Sequence, residues 1–191
     1  PERQRNSAQR NNAQEPSQAG STTRFEYDAL GRRIAKTHQE TSEAGHQSRP
    51  RITRFGWDGL RLLSETREPL FEQQARHHSL YIYEGEGSYE PLARVDGENK
   101  VLHFHNDLSG KPEALSSAEL GQVIWRASYK VWGNTITEEW SGEYAQVDAR
   151  TVAQNLRFQG QYLDPETGLH YNTFRFYDPD IGRFTTPDPI G

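Results

Sequence analysis

Apolar and polar residues alternate over short stretches of this chain, and Asp, Asn and Gly break the alternation at recurring points. In Thr23-Arg24-Phe25-Glu26-Tyr27 a ring stands at every second position, the spacing of a strand with one covered face. Asp28-Ala29-Leu30-Gly31 then reads as a turn, because Asp accepts from nearby backbone N–H groups and Gly takes positive φ without a steric cost. Ile34 resumes an alternating strand and completes a β-hairpin. The unit returns from Arg54 to Thr66, with Trp57-Asp58 in the places of Tyr27-Asp28. A weaker echo is Tyr81-Ile82-Tyr83-Glu84 with Leu92-Ala93-Arg94-Val95 as its return strand. Strands are also predicted over Lys100–His105 and Gln122–Tyr129, beside turns at 96–99, 109–112 and 120–121. Hairpins repeating in this way predict an all-β architecture of stacked units. Short helical turns are expected near 112–118 and 145–155.

Two stretches lack large apolar residues. Residues 1–21 are almost entirely Gln, Asn, Arg, Ser, Glu, Pro and Ala, which predicts a flexible polar arm, with ordering against a larger assembly as the other reading. Residues 38–50 read as a surface loop. The domain reading is therefore an arm over 1–21, hairpins over 22–153, and a terminal unit over 154–191.

Composition narrows the picture. Only 32% of the 191 residues are hydrophobic while 11% are aromatic, which suits broad strand surfaces better than a helical core. The net charge of −5 is spread along the chain, and the arginines recur beside rings and acids, so pairing and stacking are expected and nucleic acid is not. With no Cys there is neither a disulfide framework nor a thiolate metal site. No segment reads as a membrane span or signal peptide.

Three blocks carry a family resemblance. The repeat with Tyr27-Asp28, Gly31-Arg32 and Ile34 resembles the YD repeat of Rhs proteins, teneurins and insecticidal toxin-complex shells. Phe104 to Gly133 is similar to the segment near the end of bacterial Rhs cores, with Leu108-Ser109-Gly110-Lys111-Pro112 where relatives carry His–Leu–Gly–Thr–Pro. Leu156 to Asn172, Arg175 to Phe184 and the closing Pro187-Asp188-Pro189-Ile190-Gly191 are similar to the Rhs-associated core terminus. The resemblance implies the end of a large β-cocoon built from a strip of YD hairpins, with an inward-curling plug at its C-terminal end. It also implies a single-turnover aspartyl autoprotease that separates the core from an enclosed C-terminal toxin, cutting after an Asp–Pro–x–Gly–Leu motif. The motif here reads as far as Gly191, one residue short of that Leu. The implied partners are upstream shell repeats, the toxin, and secretion-spike and chaperone proteins. The implied location is the bacterial cytoplasm before export, then a target cell reached by type VI secretion.

Hydrolysis by carboxylates takes two of them, one ionised to activate water and one protonated to polarise the scissile carbonyl. Asp188 lies in the terminal motif. Asp164 is the first choice of partner, since the Glu166–Leu169 turn can fold it back towards the tail; Asp178 is the alternative, then Asp180. Arg157, Arg175 and Arg183 are candidates to hold these carboxylates, with Arg175 preferred. Without the resemblance, the Asp-Pro pairs at 164–165, 178–179 and 188–189 read simply as turn openers.

Other constellations are weaker. His103 and His105 share one strand face but lack a third ligand, and Glu84, Glu86 and Glu90 match no Ca²⁺ loop spacing, so no metal and no cofactor is expected. Trp57, Tyr81, Tyr83, Trp125, Tyr129 and Trp132 read as packing between repeats more than as a carbohydrate surface. The alternative function is a non-catalytic structural module that binds a glycan or a partner.

Overall fold

The structure, a computed structural model, describes residues 19–69, 76–147 and 152–188. Ten strands form one antiparallel sheet in chain order. They are β1 (Gly20–Tyr27), β2 (Arg33–Thr41), β3 (Arg51–Asp58), β4 (Arg61–Arg67), β5 (His77–Tyr83), β6 (Pro91–Asp96), β7 (Lys100–Asn106), β8 (Pro112–Ser117), β9 (Val123–Tyr129) and β10 (Thr135–Trp140). Four shorter strands form a second antiparallel sheet, also in chain order: β11 (Tyr162–Asp164), β12 (Leu169–Asn172), β13 (Arg175–Asp178) and β14 (Arg183–Phe184). The all-β strip of hairpins is the architecture that the alternation predicts.

The turns explain the Asp-to-Gly spacing. Asp28 Oδ1 accepts from the N–H groups of Leu30 and Arg32, both at 2.9 Å, while Gly31 takes φ +77°. Asp107 repeats the arrangement with Ser109 and Lys111 at 2.9 and 3.0 Å, and Gly110 lies at φ +82°. Arg32 Nη1 then donates to the Gly59 carbonyl at 2.8 Å and Arg61 Nη1 to the Gly85 carbonyl at 2.7 Å. Each of these arginines ties its own turn to the next one along the rim. The register slips at the same place in four hairpins, at Glu26/Tyr27, Gly56/Trp57, Ile82/Tyr83 and His105/Asn106. Such bulges re-aim side chains just before a turn.

One face of the large sheet packs on the small sheet, and the core lies between them. Phe55, Leu62, Tyr81, Leu102, Phe104, Leu115 and Trp125 from the large sheet meet Leu156, Tyr162 and Tyr171 from the terminal block. The period of two is clean in β7, where Leu102 and Phe104 point inward and His103 and His105 outward. Tyr81 and Trp125 are buried, and Trp57, Tyr83 and Tyr129 pack against the core, so these rings are packing between repeats; Trp132 is exposed.

The structure departs from the sequence reading in three places and adds one detail to it. Ile34 resumes the alternating strand as expected, but it is 40% exposed and its neighbours Arg33 and Ala35 are the buried ones. The pleat is the expected one, but its buried face is filled by a charge. Pro112–Ser117, within the stretch expected to make a helical turn, form strand β8, because Phe104↔Leu115 and Leu115↔Trp125 pairing gives them a neighbour on both sides. Strand β2 runs on to Thr41 into the expected loop, with His38 buried and its Nδ1 at 2.8 Å from Thr23 Oγ1. Strand β1 begins at Gly20, inside the stretch read as an arm; residues 1–18 of that arm lie outside the described residues.

Glycines anchor the two sheets differently, which separates strain from crowding. Gly182 has φ +65°, and a Cβ there would stand 2.8 Å from the Trp132 ring, whereas Gly59 at φ +56° has open space. Gly59→Ala is expected to cost about 1–2 kcal/mol from backbone conformation alone. Gly182→Ala adds overpacking of about 1–3 kcal/mol to the same term. Urea unfolding of both variants checks this, and equal midpoints would rule out the ring contact as a constraint.

Candidate functional site

The terminal block is held by buried charge. Arg33 in β2 is fully buried, and its Nη1 lies 2.6 Å from Asp164 Oδ2 at the end of β11. Lys36 Nζ reaches Asp164 Oδ1 at 3.1 Å and Glu166 Oε2 at 2.8 Å. The Arg33 guanidinium lies between the rings of Phe25, Phe55, Tyr162 and Tyr171, with centroids 4.2 to 5.2 Å away. Its backbone N–H donates to the Tyr171 hydroxyl at 2.9 Å, and Trp57 Nε1 donates to its carbonyl at 2.8 Å.

A second cluster continues the same seam. Glu65 accepts from the hydroxyls of Tyr81 and Tyr162 at 2.6 and 2.7 Å and from Arg67 at 2.7 Å. Burial by itself raises the Glu65 carboxyl, but the charge of Arg67, the two hydroxyls and the charge of Arg94 together hold it below its ordinary value. Burial pushes the Tyr162 phenol well up, and the Glu65 charge adds to this, so the phenol remains a donor. Further along, Arg94 pairs with Asp96 at 2.8 Å and donates to the Val152 and Ala153 carbonyls, both at 3.2 Å. Burial opposes ionisation of Asp96, but Arg94, His77 and Ser79 outweigh it and bring its carboxyl down to about 2.

Asp188 lies elsewhere. Its Oδ2 is 3.2 Å from Arg175 Nη2, the arginine that the sequence reading preferred. Arg175 in turn lies over the Phe184 ring at 3.8 Å, and Thr185 N–H donates to the Phe176 carbonyl at 2.8 Å, which fixes where the tail leaves the sheet.

The pleat then separates the candidates. On β13, Phe176 and Asp178 share one face, and Arg175 and Tyr177 the other. Phe176 packs on Phe25 and Tyr171, so its face is turned to the large sheet. Tyr162 and Asp164 of β11 share that same inward face. Tyr177 meets Phe184 and donates to the Trp132 carbonyl on the opposite side. Asp188 is thus brought to Arg175 on one face, while Asp164 and Asp178 belong to the other. The hairpin expected after Asp164 does form, but it delivers the carboxylate to Arg33 and Lys36 and not to the tail.

The other sequence-predicted residues fall as follows. Asp178 Oδ1 accepts from Asp180 N–H at 2.9 Å, a turn contact, and Asp180 accepts from the Asn134 side chain. Arg183 pairs with Asp178 in the β13–β14 register. Arg157 donates to the Gln154 and Leu156 carbonyls at 2.7 and 3.0 Å. Pro187 is exposed; Pro189, Ile190 and Gly191 of the motif lie outside the described residues. His105 Nε2 lies 2.8 Å from Ser116 Oγ, and among the described residues no cluster of three His, Cys, Asp or Glu is placed to hold a metal. Sequence reasoning missed Arg33, Lys36 and Glu65 as partners of the terminal block. The signal for them was a charged residue at an inward strand position between aromatic strands.

Comparison with known proteins gives these features a setting. The family model described as RHS protein matches residues 101–139. The chain is 42% identical over 185 residues to double-stranded DNA deaminase toxin A of Burkholderia cenocepacia (strain H111), which covers 88% of this chain and 12% of that protein. It is 32% identical over 200 residues to toxin protein Tse5 of Pseudomonas aeruginosa, covering 88% of this chain and 13% of that protein. These relatives are many times longer than the part of them that this chain matches. In three dimensions the chain resembles a structure of the Photorhabdus luminescens Tc holotoxin pore containing a substituted TccC3, with a TM-score of 0.66 over 88% of this chain and 8% of that one. At 20% identity, that likeness speaks for the fold alone.

Two predictions follow from the geometry. Arg33→Met or Asp164→Asn leaves a buried partner charge unbalanced and is expected to cost about 3–5 kcal/mol, whereas Lys100→Ala, which breaks the exposed Lys100–Glu143 pair, changes stability by less than about 1 kcal/mol. Chemical denaturation measures both. His170, buried and near Arg157, is held neutral with its pKa lowered from 6.5 to about 4, by burial first and Arg157 second. Because the folded-state value is depressed, this contribution is complete above pH 6.5 and is lost as pH falls from 6.5 towards 4, amounting to roughly 3 kcal/mol. His170→Gln is expected to flatten the stability profile in that window and leave the Asp96 window, from 3.8 down to about 2, unchanged.

Proposed function

This chain belongs to the RHS protein family, and on that premise we propose that it is part of a toxin-enclosing β shell whose terminal motif cuts the polypeptide once. The observation that carries the reading is the placement of Asp188. It lies in the Asp-Pro motif, it is held by Arg175, and the sheet that presents it is locked to the strip by Arg33 and Asp164. The names of the relatives, a deaminase toxin and Tse5, support a toxin as the enclosed cargo. Among the described residues the strip ends in two edge strands, β1 and β10, each with backbone groups able to take another strand, which suits neighbouring shell repeats. Secretion-spike and chaperone proteins would be met during export by type VI secretion, with the protein held in the bacterial cytoplasm beforehand.

In the cut, one carboxylate takes a proton from water as the water oxygen attacks the scissile carbonyl carbon, and a second, protonated carboxyl gives its proton to the carbonyl oxygen. On collapse the first carboxyl gives its proton to the departing amine nitrogen as the C–N bond breaks, and a hydroxyl of the adduct returns a proton to the second carboxylate. Asp188 is the carboxylate assigned here, next to the bond that breaks, and Arg175 positions it. Asp164 is the first choice of second carboxylate and Asp178 the next. Both face the large sheet, so either one meets Asp188 only after the tail crosses to that side. A non-catalytic reading, in which the shell binds a partner or glycan and no bond is cut, is favoured by one observation: Asp164 is already engaged by Arg33 and Lys36.

One assay separates these readings. A polypeptide that continues past residue 191 is expected to appear as two fragments by intact mass spectrometry, and its Asp188→Asn variant as one uncut chain. Asp164→Asn and Asp178→Asn in the same polypeptide assign the second carboxylate, provided circular dichroism shows the variant folded. If wild type stays whole, the non-catalytic reading takes its place; if Asp188→Asn is cut like wild type, Asp188 is not the acting group.

A further inference from the structure

A cavity of about 1060 Å³ lies between the outward face of the small sheet and three hairpin turns of the large one. The turns are those carrying Gly87, Gly110 and Gly133, and the small sheet contributes His170, Tyr177 and Phe184. Two ring walls are fixed by glycines. A Cβ at Gly160 would stand 2.5 Å from the Tyr89 ring, and one at Gly182 would stand 2.8 Å from Trp132. Trp132 nevertheless leaves 58% of its surface open, and Val131 beside it 92%.

The cations on the walls of this cavity differ in how they are paired. Arg157, which lines it, is only 2% exposed. It donates to two backbone carbonyls, reaches Thr135 Oγ1 at 3.5 Å, and lies 5.4 Å from the Tyr129 ring, while its Nε is buried with no partner. Carbonyl dipoles orient a guanidinium but do not cancel its charge. Arg33, Lys36 and Arg94 are buried to a similar depth, and each has a carboxylate within 3.1 Å. No ion pair joins Arg157 to a carboxylate among the described residues. Of the other ionisable groups on the walls, Lys111 is paired with Asp107 at 3.1 Å, Glu90 lies exposed at the rim beside Gly110, and His170 is neutral because burial and the Arg157 charge lower its pKa to about 4.

We propose that this cavity binds a carboxylate carried by a polypeptide, with the anion against Arg157 and an adjacent apolar side chain against Trp132 and Tyr89. A buried cation without a counter-ion is costly, and an arriving carboxylate removes that cost while making charge-assisted hydrogen bonds. The volume exceeds what a small inorganic anion needs and suits a few residues of chain. Ser88, Ser109 and Asn172 on the walls offer donors and acceptors to a peptide backbone. The inference does not depend on self-cleavage.

The test uses the whole chain and three probes: N-acetylphenylalanine, with a terminal carboxylate; N-acetyl-aspartyl-phenylalaninamide, with a side-chain carboxylate; and the neutral N-acetylphenylalaninamide. The Trp132 indole N–H is followed by NMR titration. At least one acid is expected to bind about tenfold more tightly than the neutral amide, with the preference shrinking as salt is raised. The stronger of the two acids identifies whether a chain end or an acidic side chain is the natural source. Arg157→Gln should abolish the preference, and Trp132→Leu, on an exposed ring, should weaken all three probes together when followed by calorimetry. Equal binding of acids and amide, or no response to any probe, overturns the proposal.

Discussion

The Arg33–Asp164 ion pair is the contact on which the rest of the architecture depends. It joins the first hairpin to the terminal block across a separation of 131 residues, at 2.6 Å and with no exposure on either side chain. Removing two charges from water costs several kcal/mol per ion, so such a pair persists only where its surroundings compensate. Four aromatic faces around the guanidinium, Lys36 on the far side of the carboxylate, and a hydroxyl on the Arg33 backbone do so here. The terminal sheet has strands of two to four residues, too short to be stable alone. It exists because this clamp and the rings around it tie it to a large sheet.

Aliphatic packing plays a smaller part in this core than rings and paired charges. Glu65 with Tyr81, Tyr162 and Arg67, and Asp96 with Arg94 and Ser79, extend one seam of buried polar groups beneath the ten-stranded sheet. Each group has a single set of partners. A slip of one residue in any strand would turn these charges outward and strand their partners inside, so the seam sets the register more strictly than apolar contacts would.

The same pleat decides which candidate residues can act together. Because alternate residues of β13 face opposite ways, the arginine that holds Asp188 and the aspartate at the end of that strand are on different faces. The cavity with its unpaired Arg157 opens on the Arg175 side, away from the seam. The terminal block therefore carries two chemically separate surfaces: one committed to holding the fold, the other open to a tail or a ligand.

Much of this was legible in the chain itself. Alternation of rings with polar residues, interrupted by Asp-x-x-Gly turns, is a local property, so hairpins at 25–37 and 54–66 followed from it directly, as did the all-β class. Arg175 as the holder of Asp188 was also within reach, since both lie in one short block. What lay beyond sequence reasoning was contact between distant segments. Nothing local distinguishes Arg33 from the half-buried Arg32 beside it, or shows that Ile34 would turn outward so that a guanidinium could take the inward place. Asp164 was legible as a turn residue, but its partners Arg33 and Lys36 belong to another part of the chain, and only the docking of the two sheets brought them together. Burial depends on what arrives from elsewhere, and for that reason tertiary structure alone decided which charges became the core and which stayed at the surface.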